Sequence, residues 1–413
     1  EAEGHTVVSM KLDTAKLEAR LKTVEYNPVI IIALAQPADH ISLELSGIAV
    51  DQLKAKRGAI EIRSSLGTFH VPAAEMSSAR WEESGGFDRA LAADQISVNL
   101  RIAVSDAAKL KLVQQTAQQA GATLVGLPVD FAITAQVHGV SLRLERYQQY
   151  MEHRIPLTQE MGNQITTAVG ASEGGDFSHI PTRLEKKKDG SFEVVLRSLV
   201  NGTFAFISNE VRFADVQHHW SKDAVNDLAS RMILNGKGRT QDTTGMNQNK
   251  TAAQSFAPDV QVNRAEFAAM VVRALGLNEA KDDASAFKDV SADAWYSGAL
   301  AQALRYDLIQ GYQDGSFRPD QGITRQEAMT VMARVMERVG LYSVGSESES
   351  AFVLTSYQDR ELLSAWAEPA VAALVEQGIV QGNAGRLMPL QKLSRGEAAV
   401  MLQRLLKAAE LID

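Results

Sequence analysis

Two patterns of apolar positions divide the sequence. Up to about residue 210, apolar and polar residues alternate in runs such as Ile96–Ile102 and Phe192–Leu196, and this alternation predicts half-buried strands. Further along, apolar residues recur three and four positions apart, as in Val225, Leu228 and Met232, which predicts amphipathic helices. We therefore expect a multidomain chain, with a strand-rich α+β N-terminal region followed by an all-α C-terminal region.

The N-terminal region also contains helical spacing. Ala15–Lys22 and Asp106–Ala120 have the pattern of helices, and the turn residues at Lys188–Gly190 predict a hairpin. The segment Gly121–Pro128 is a plausible division, so we expect an α+β domain over residues 1–125 and a β-rich domain or spacer over residues 126–210.

A threefold repeat organises the C-terminal region. Three of the four tryptophans stand at equivalent points of one pattern: Trp220, Trp295 and Trp366. An aromatic-x-Asp turn precedes each of them, with the aspartates at Asp215, Asp289 and Asp359. A glycine follows each tryptophan at the same distance, at Gly236, Gly311 and Gly382. A proline comes next, and an arginine follows it at a constant spacing, at Arg264, Arg325 and Arg395.

Each arginine lies in a predicted capping box. Asn263, Thr324 or Ser394 precedes it and a glutamate follows two residues later, so the polar side chain accepts from the first helical turn and the glutamate reaches back. We expect a helix after each tryptophan that ends at or just before the glycine, which tolerates a left-handed cap, and a second helix after each box. One helix pair cannot bury its own apolar face, so three copies should close around a shared core with approximate threefold symmetry. The predicted repeats cover residues 211–278, 279–343 and 344–413.

The boxed arginines are the main candidates for binding chemistry. Each occupies the first helical position, where we expect its side chain to point outward near free backbone N–H groups and the positive end of the helix dipole. Three such helix ends predict three sites for a carboxylate or a phosphate.

The tryptophan, the glycine and the (Asn/Thr/Ser)-Arg-x-Glu box together resemble the S-layer homology modules of bacterial, typically Gram-positive, surface proteins. This resemblance implies a three-pronged helical bundle whose grooves between repeats bind secondary cell-wall polysaccharide, typically through pyruvylated N-acetylmannosamine. It implies that the three arginines hold the ketal carboxylate, and that the aspartates and tryptophans meet sugar hydroxyls and sugar faces. The three glycines are included in the predicted glycan site, where close approach of a sugar needs small residues.

Structural roles compete with these binding roles. We expect Glu266, Glu327 and Glu397 mainly to cap helices, and the tryptophans could pack between helices as well as bind. The glycines could serve backbone geometry, and the arginines could be solvated residues at a helix start. The copies also differ, because an insertion at about 237–254 lengthens the first and repeat two fits best. Of the three grooves, we therefore expect the one that uses Arg325 to be the best candidate for a functional site.

The amino-acid composition limits the classes of partner that the chain can bind. Asp plus Glu exceeds Lys plus Arg by 50 to 42, giving a formal net charge of −8, so the broad basic field that nucleic acid or an anionic membrane requires is missing. The chain has no cysteine, which excludes disulfides, thiolate zinc sites and cysteine nucleophiles. The longest strongly apolar run, Pro28–Ala35, is too short to span a bilayer. Because the sequence begins at Glu1 rather than Met, we expect a processed or excised piece of a secreted protein.

The sequence contains no phosphate-loop motif and no His-Glu-x-x-His motif. Trp81, Glu82, Glu83 and Asp88 place acids near an aromatic ring, as in glycosidases, but acids in a polar loop are more often solvated. The isolated His153 and His179 give no metal site, and we expect no cofactor.

Three hypotheses follow. The first is a non-catalytic anchor at the cell surface, bound to wall polysaccharide. The second is a wall-tethered polysaccharide hydrolase whose catalytic part is the N-terminal half or lies outside this sequence. The third is a self-assembling lattice protein, in which N-terminal strands contact other copies.

Overall fold

The computed structural model describes residues 5–86, 90–237, 255–277, 287–341 and 352–413. Its contacts divide the chain into two compact units, Glu1–Ser208 and Asn209–Asp413. Asp88 and nearly all of the predicted insertion at 237–254 lie outside the described residues.

The N-terminal unit is built mainly from strands, with five α-helices among its described residues. The strands are β1 Val7–Lys11, β2 Val29–Ala33, β3 His40–Ser46, β4 Ala59–Ser64, β5 Gly67–Pro72, β6 Ile96–Val104, β7 Thr123–Val137, β8 Val140–Arg143, β9 Arg146–Leu157, β10 Thr167–Ala171, β11 Phe177–Ile180, β12 Thr182–Lys186, β13 Phe192–Val200 and β14 Gly202–Ser208. The helices are α1 Thr14–Leu21, α2 Gly47–Ala55, α3 Ser78–Gly85, α4 Ala107–Gln119 and α5 Gln159–Gln164. The predicted helices at 15–22 and 106–120 correspond to α1 and α4, and Asp106 caps α4 by accepting from the amide of Lys109.

These strands form two sheets. One has the order β1-β3-β6-β7-β14-β10-β11, with β8 paired to β7, and the other has the order β12-β13-β9-β5-β4-β2. Strand β7 runs without interruption through residue 125 and pairs with β6 on one side and β14 on the other. A division after residue 125 would fall inside this strand, and both predicted N-terminal domains lie within the one compact unit Glu1–Ser208.

Aromatic side chains from both sheets meet in the core of this unit. Phe69, Phe131 and Phe204 surround the buried ring of His153, with ring centroids 5.0, 4.4 and 5.1 Å from the histidine. Alternation along each strand directs these residues inward, because successive side chains of a strand point to opposite faces of its sheet. This cluster of aromatic rings therefore contains one imidazole among apolar side chains.

The C-terminal unit is helical. Its helices are α6 Lys222–Ser230, α7 Arg264–Ala274, α8 Ser297–Arg305, α9 Arg325–Arg338, α10 Glu368–Glu376 and α11 Arg395–Ala408. Each repeat thus contributes one helix after its tryptophan and one after its capping box, as the spacing predicts. Isolated β-bridges join the segments before the boxes, linking Gln261 with Ser394, Asn263 with Gly322 and Thr324 with Lys392.

The predicted glycine caps are wrong. Helices α6, α8 and α10 end before a left-handed residue at Met232, Asp307 and Gly378, four positions ahead of the predicted glycines. Only the third copy uses glycine there, since Met232 and Asp307 adopt φ values of 63° and 57°. The repeated glycines therefore serve another purpose.

Candidate functional site

The three capping boxes form as predicted. The side chains of Asn263, Thr324 and Ser394 accept from the amide of the glutamate three residues on, and each glutamate accepts from the amide of its cap residue. These reciprocal bonds satisfy two backbone donors at each helix start. The boxes hold the first turns of α7, α9 and α11 in place, and with them the three arginines.

The arginines do not point outward. Arg264, Arg325 and Arg395 expose only 9%, 6% and 4% of their surface. Each donates from Nε to a backbone carbonyl of another repeat, at 2.8 Å to Phe317, 2.8 Å to Leu387 and 2.9 Å to Phe256, respectively. The expectation of an outward side chain is wrong because buried donors must find acceptors, and the neighbouring repeat supplies them.

Each arginine also faces the box glutamate of another repeat. Arg264 donates to Glu327 at 3.2 Å and Arg325 to Glu397 at 2.6 Å. Arg395 lies 3.6 Å from Glu266, so the last repeat returns to the first. We call these three sets of contacts the arginine latches. Each latch consists of one boxed arginine together with the backbone carbonyl and the box glutamate that it contacts in another repeat. The latches run in one cyclic order through the three repeats.

The aspartates predicted to bind glycan instead accept hydrogen bonds from the loops whose carbonyls the boxed arginines contact. Asp289 accepts from the amides of Phe317 and Arg318, both at 2.7 Å, and Asp359 accepts from Leu387 and Met388 at 2.8 and 2.7 Å. Asp215 makes the same contacts with Phe256 and Ala257, at 3.0 and 2.6 Å. One residue of each loop is therefore fixed from both sides, by an aspartate at its N–H and by an arginine at its carbonyl.

Charge strengthens these contacts. Burial acts to raise the pKa of Asp215 and of Asp289, but the amide donors outweigh it, so the pKa of each carboxyl lies below its usual range. Burial also acts to raise the pKa of Glu327, whose pKa is nevertheless lowered by the amide and hydroxyl of Thr324 and by Tyr312 and Arg264. All three groups are therefore ionised near neutral pH, as charge-assisted hydrogen bonds require.

The repeated glycines provide space. A Cβ on Gly311 would lie 2.4 Å from Cε1 of Phe287 and 2.8 Å from the carbonyl oxygen of Ser316. A Cβ on Gly382 would meet the Arg386 carbonyl at 2.5 Å and Tyr357 at 2.8 Å. At these two positions a side chain would separate the loop from the aromatic residue that packs beneath it. For Gly236, the third predicted position, the structure shows partial burial.

The tryptophans are not core residues. Trp220 and Trp366 expose 64% and 57% of their surface, and Trp295 is half-buried. Trp220 packs beside His219 and Trp295 beside Tyr296, with ring centroids 5.4 and 5.3 Å apart. The rings of Trp220 and Trp366 are therefore accessible from solvent, and packing in the core does not account for these two residues.

A groove of about 180 Å³ lies between the repeats. It is lined by Arg264, Phe267, Ala268, Ile309, Gln310, Gly311, Tyr312, Phe317, Ile323, Glu327, Thr330, Val331, Arg334 and Trp366. Residues of all three repeats therefore meet at one cleft, which contains Arg264 and not Arg325. Of the predicted site residues, the groove brings together Arg264, Gly311 and Trp366.

Several lining residues were not predicted. The guanidinium of Arg264 stacks on the rings of Tyr312 and Phe317, 4.8 and 4.7 Å from their centroids, and Tyr312 donates to Glu327 at 2.9 Å. Arg334 and Thr330 line the same cleft from helix α9. A sequence signal for Arg334 exists, since an arginine follows each boxed arginine nine residues later, at Arg273, Arg334 and Arg404.

The candidate acids of the N-terminal unit are engaged in structural contacts. Trp81 is buried in helix α3 and donates to the Met76 carbonyl at 2.8 Å. Glu82 accepts from the amide of Leu91 at 2.7 Å, and Glu83 pairs with Arg80. These residues lie on a helix and not in the predicted polar loop.

The candidate histidines of the N-terminal unit are buried. His153 lies in the aromatic core, and His179 lies 3.3 Å from the hydroxyl of Thr167. Within the described ranges, no group of three or more His, Cys, Asp or Glu residues could hold a metal ion.

Three repeats that interlock through buried arginines and share a cleft with an exposed tryptophan define a modular binding unit. Comparison with known proteins identifies the module: residues 212–268, 286–329 and 362–399 match the S-layer homology domain. Three segments of the C-terminal half thus match the S-layer homology domain, and domains of this family mediate the anchoring of surface proteins to the cell wall.

Relatives include both enzymes and surface proteins. The chain is 31% identical to the exoglucanase XynX of Acetivibrio thermocellus over 203 residues, which are 49% of this chain and 17% of the relative. It is 30% identical to a cellulosome-anchoring protein of the same organism over 160 residues, 38% of this chain and 34% of the relative. It is 28% identical to the surface-layer 125 kDa protein of Lysinibacillus sphaericus over 189 residues, 45% of this chain and 14% of the relative.

The chain therefore matches only a minor part of each of these relatives. None of the described helices has both the length and the apolar composition needed to cross a membrane.

Proposed function

We propose that the C-terminal unit anchors this chain non-covalently at the outer cell surface by holding an acidic wall polysaccharide in grooves between its repeats. The observation that carries the proposal is the groove in which Trp366, from the third repeat, lies across from residues of the first and second repeats. The finer form of the proposal is a secondary cell-wall polysaccharide that bears pyruvylated N-acetylmannosamine.

The chemistry of the groove suits such a ligand. An exposed indole offers an apolar face to a sugar ring and one N–H to a hydroxyl. At about 180 Å³ the groove is smaller than the roughly 300 to 1,000 Å³ of sites for drug-sized ligands, so it suits one sugar residue of a polymer. Polymer chains that present many such residues would compensate for a small contact area through several grooves.

The predicted site residues divide into two groups in this proposal. The tryptophans contact the glycan. The arginines, aspartates and glycines build the groove walls: Arg264 positions Phe317 and Tyr312 beside the ligand, and Gly311 lets the loop approach Phe287.

Retention on purified wall polysaccharide tests the anchor. We expect the full chain to sediment with native wall polysaccharide and to be released when the acidic ketals are removed by mild acid. The variant Trp366→Ala should bind more weakly, whereas Phe352→Ala, which removes an aromatic residue with 80% exposure, should bind as the unchanged chain does. Equal retention on the native and ketal-free polymer would contradict the acidic form of the proposal.

A wall-tethered polysaccharide hydrolase is the second candidate. It is supported by the similarity to a protein named as an exoglucanase, together with the small share of that relative that the chain covers. Incubation of the full chain with wall glycans and with β-glucans, followed by an assay for new reducing ends, tests it. Glu75 is a buried acid of the N-terminal unit and accepts from the amides of Gln148 and Gln149. The anchor proposal requires no catalysis, so new reducing ends that vanish in the variant Glu75→Gln would favour the hydrolase.

Assembly into a surface lattice is a further possibility for the N-terminal unit. It is supported by the similarity to a surface-layer protein. Ordered sheets in electron micrographs of the purified full chain would favour this role, and a monodisperse monomer at high concentration would argue against it.

A further inference from the structure

One arginine in the groove lacks a paired acid. Three lining residues carry full charges near neutral pH, namely Arg264, Glu327 and Arg334. Arg264 and Glu327 form an ion pair at 3.2 Å, and this pair neutralises both charges. The positive charge of the groove therefore resides on Arg334.

The Arg334 side chain has one backbone contact, which leaves most of its hydrogen-bond donors without a protein acceptor among the residues that the structure describes. It is half-buried on helix α9, and its Nη1 lies 3.5 Å from the carbonyl oxygen of Leu308, at the outer limit of a hydrogen bond. Asp307 and Glu337 attract the guanidinium through space, yet neither lies within 4 Å of it in the part of the chain that the structure describes. A guanidinium has five donors, so most of them remain available to a ligand.

We infer that Arg334 binds the carboxylate of the acidic sugar, while Trp366 covers the sugar face and Arg264 acts only as a wall residue. This inference rests on the proposed function and names the side chain that binds the charged group of the ligand. A carboxylate suits a partly desolvated guanidinium, because the planar donor fork matches its two oxygens.

The three copies differ around this position. Thr330, which lies one helical turn before Arg334, corresponds to Ala269 and Val400 in the other repeats. Tyr312 corresponds to Lys237 and Asn383. The Nη1 of Arg404 lies 3.5 Å from the Ile379 carbonyl oxygen, which is the equivalent of the contact between Arg334 and Leu308. Arg404 and Arg334 therefore have the same backbone contact. Thr330 and Tyr312 line the groove together with Arg334, and the third repeat has neither hydroxyl group at the equivalent positions, which makes Arg404 a matched control.

Calorimetric titration of the full chain with a charged sugar and a neutral counterpart tests the inference. The probes are a monosaccharide bearing one carboxylate ketal and its methyl ester, which removes the charge. We expect the unchanged chain to prefer the acid, and Arg334→Gln to lose roughly 10- to 100-fold in affinity for the acid, the range for a charge-assisted bond, with no change for the ester. Arg334→Lys, which keeps the charge but not the fork, should lose less. Arg404→Gln should retain the preference.

The outcomes separate the two ideas. If the unchanged chain prefers the acid and Arg334→Gln does so equally, the role of Arg334 is overturned while the anchor stands. An equal loss from Arg404→Gln would also overturn it, because the charge of the unit as a whole would then explain the effect. If the unchanged chain binds native wall polysaccharide in sedimentation but neither monosaccharide, Arg334 has no role in reading a single sugar. If it binds neither polymer nor sugar, the proposed function fails. Matching thermal unfolding of all variants establishes that each is folded.

Discussion

The N-terminal and C-terminal units are stabilised in different ways. The N-terminal unit has one large apolar core, in which Phe69, Phe131 and Phe204 from both sheets pack around His153. The C-terminal unit joins short helical pairs through buried charged groups that recur in each repeat. Apolar packing tolerates many combinations of side chains, whereas a latch needs each donor and acceptor in place. A repeat protein can thus use polar contacts to fix how its copies fit together.

Removal of one latch should have the largest effect. We expect Arg325→Ala to destabilise the C-terminal unit by about 3 kcal/mol, the lower end of the range for breaking a buried ion pair, because Glu397 keeps 21% of its side chain exposed. Urea unfolding followed by hydrogen exchange, which assigns each transition to a unit, measures this loss. Arg318→Ala is the matched control, since that arginine is exposed and its pair with Asp314 should contribute less than about 1 kcal/mol. Equal effects of the two variants would mean that the latches are not the main contacts between repeats.

Acid should weaken the N-terminal unit through His153. Burial lowers the pKa of this imidazole to about 3, and neither ring nitrogen has a hydrogen-bond partner within the described ranges. Below about pH 6.5 the His153 imidazole is protonated in the unfolded chain but stays neutral in the folded unit. The free energy of unfolding therefore falls by about 1.4 kcal/mol for each pH unit as the pH decreases from about 6.5 toward about 3. Urea midpoints of the unchanged chain and of His153→Leu, measured at pH 7, 6, 5 and 4, isolate this contribution. Parallel pH profiles of the two proteins would show that His153 is not its source.

A methyl group under the loop of the second repeat should have an intermediate effect. We expect Gly311→Ala to destabilise the C-terminal unit by about 1–3 kcal/mol, because its Cβ would overlap Phe287 and the Ser316 carbonyl. Gly322→Ala is the control, since its Cβ would meet only the flexible side chains of Gln261 and Lys392, at 3.3 Å or more. Thermal unfolding compares the two, and a harmless Gly311→Ala would show that the loop can move aside.

Loss of one cap should have the smallest effect. Thr324→Ala removes the hydroxyl that accepts from the Glu327 amide, and we expect a loss of about 1 kcal/mol. Thr324→Ser keeps the hydroxyl and should stay within a few tenths of a kcal/mol of the unchanged protein. If both variants lose the same amount, the methyl group and not the cap stabilises this helix start.

Local patterns in the sequence predicted local structure well. Helical spacing located α1, α4 and both helices of each repeat, and the boxes at Asn263, Thr324 and Ser394 formed as expected. These features depend on residues within four positions of one another, so a single sequence contains what determines them. The same is true of the strand β6, whose alternating burial follows from the pleat.

Predictions that depend on distant partners failed. Arg264 was expected to point outward because it occupies the first helical position, but its partners Phe317 and Glu327 lie more than fifty residues further along the chain. The glycine caps were misplaced because glycine was taken to mark a left-handed residue, whereas Gly311 is required by the ring of Phe287. Arg334 was missed although its spacing recurs, because no local pattern distinguishes an unpaired guanidinium from an ordinary helical arginine.

The return of Arg395 to Asn235, Phe256 and Glu266 gives the C-terminal unit a closed circuit of contacts. A fragment with two copies would have an arginine without its acceptors at one end and a carboxylate without its donor at the other. Gene rearrangements that move this module between proteins should therefore transfer all three repeats together. A deletion of one repeat should yield a product that proteases remove.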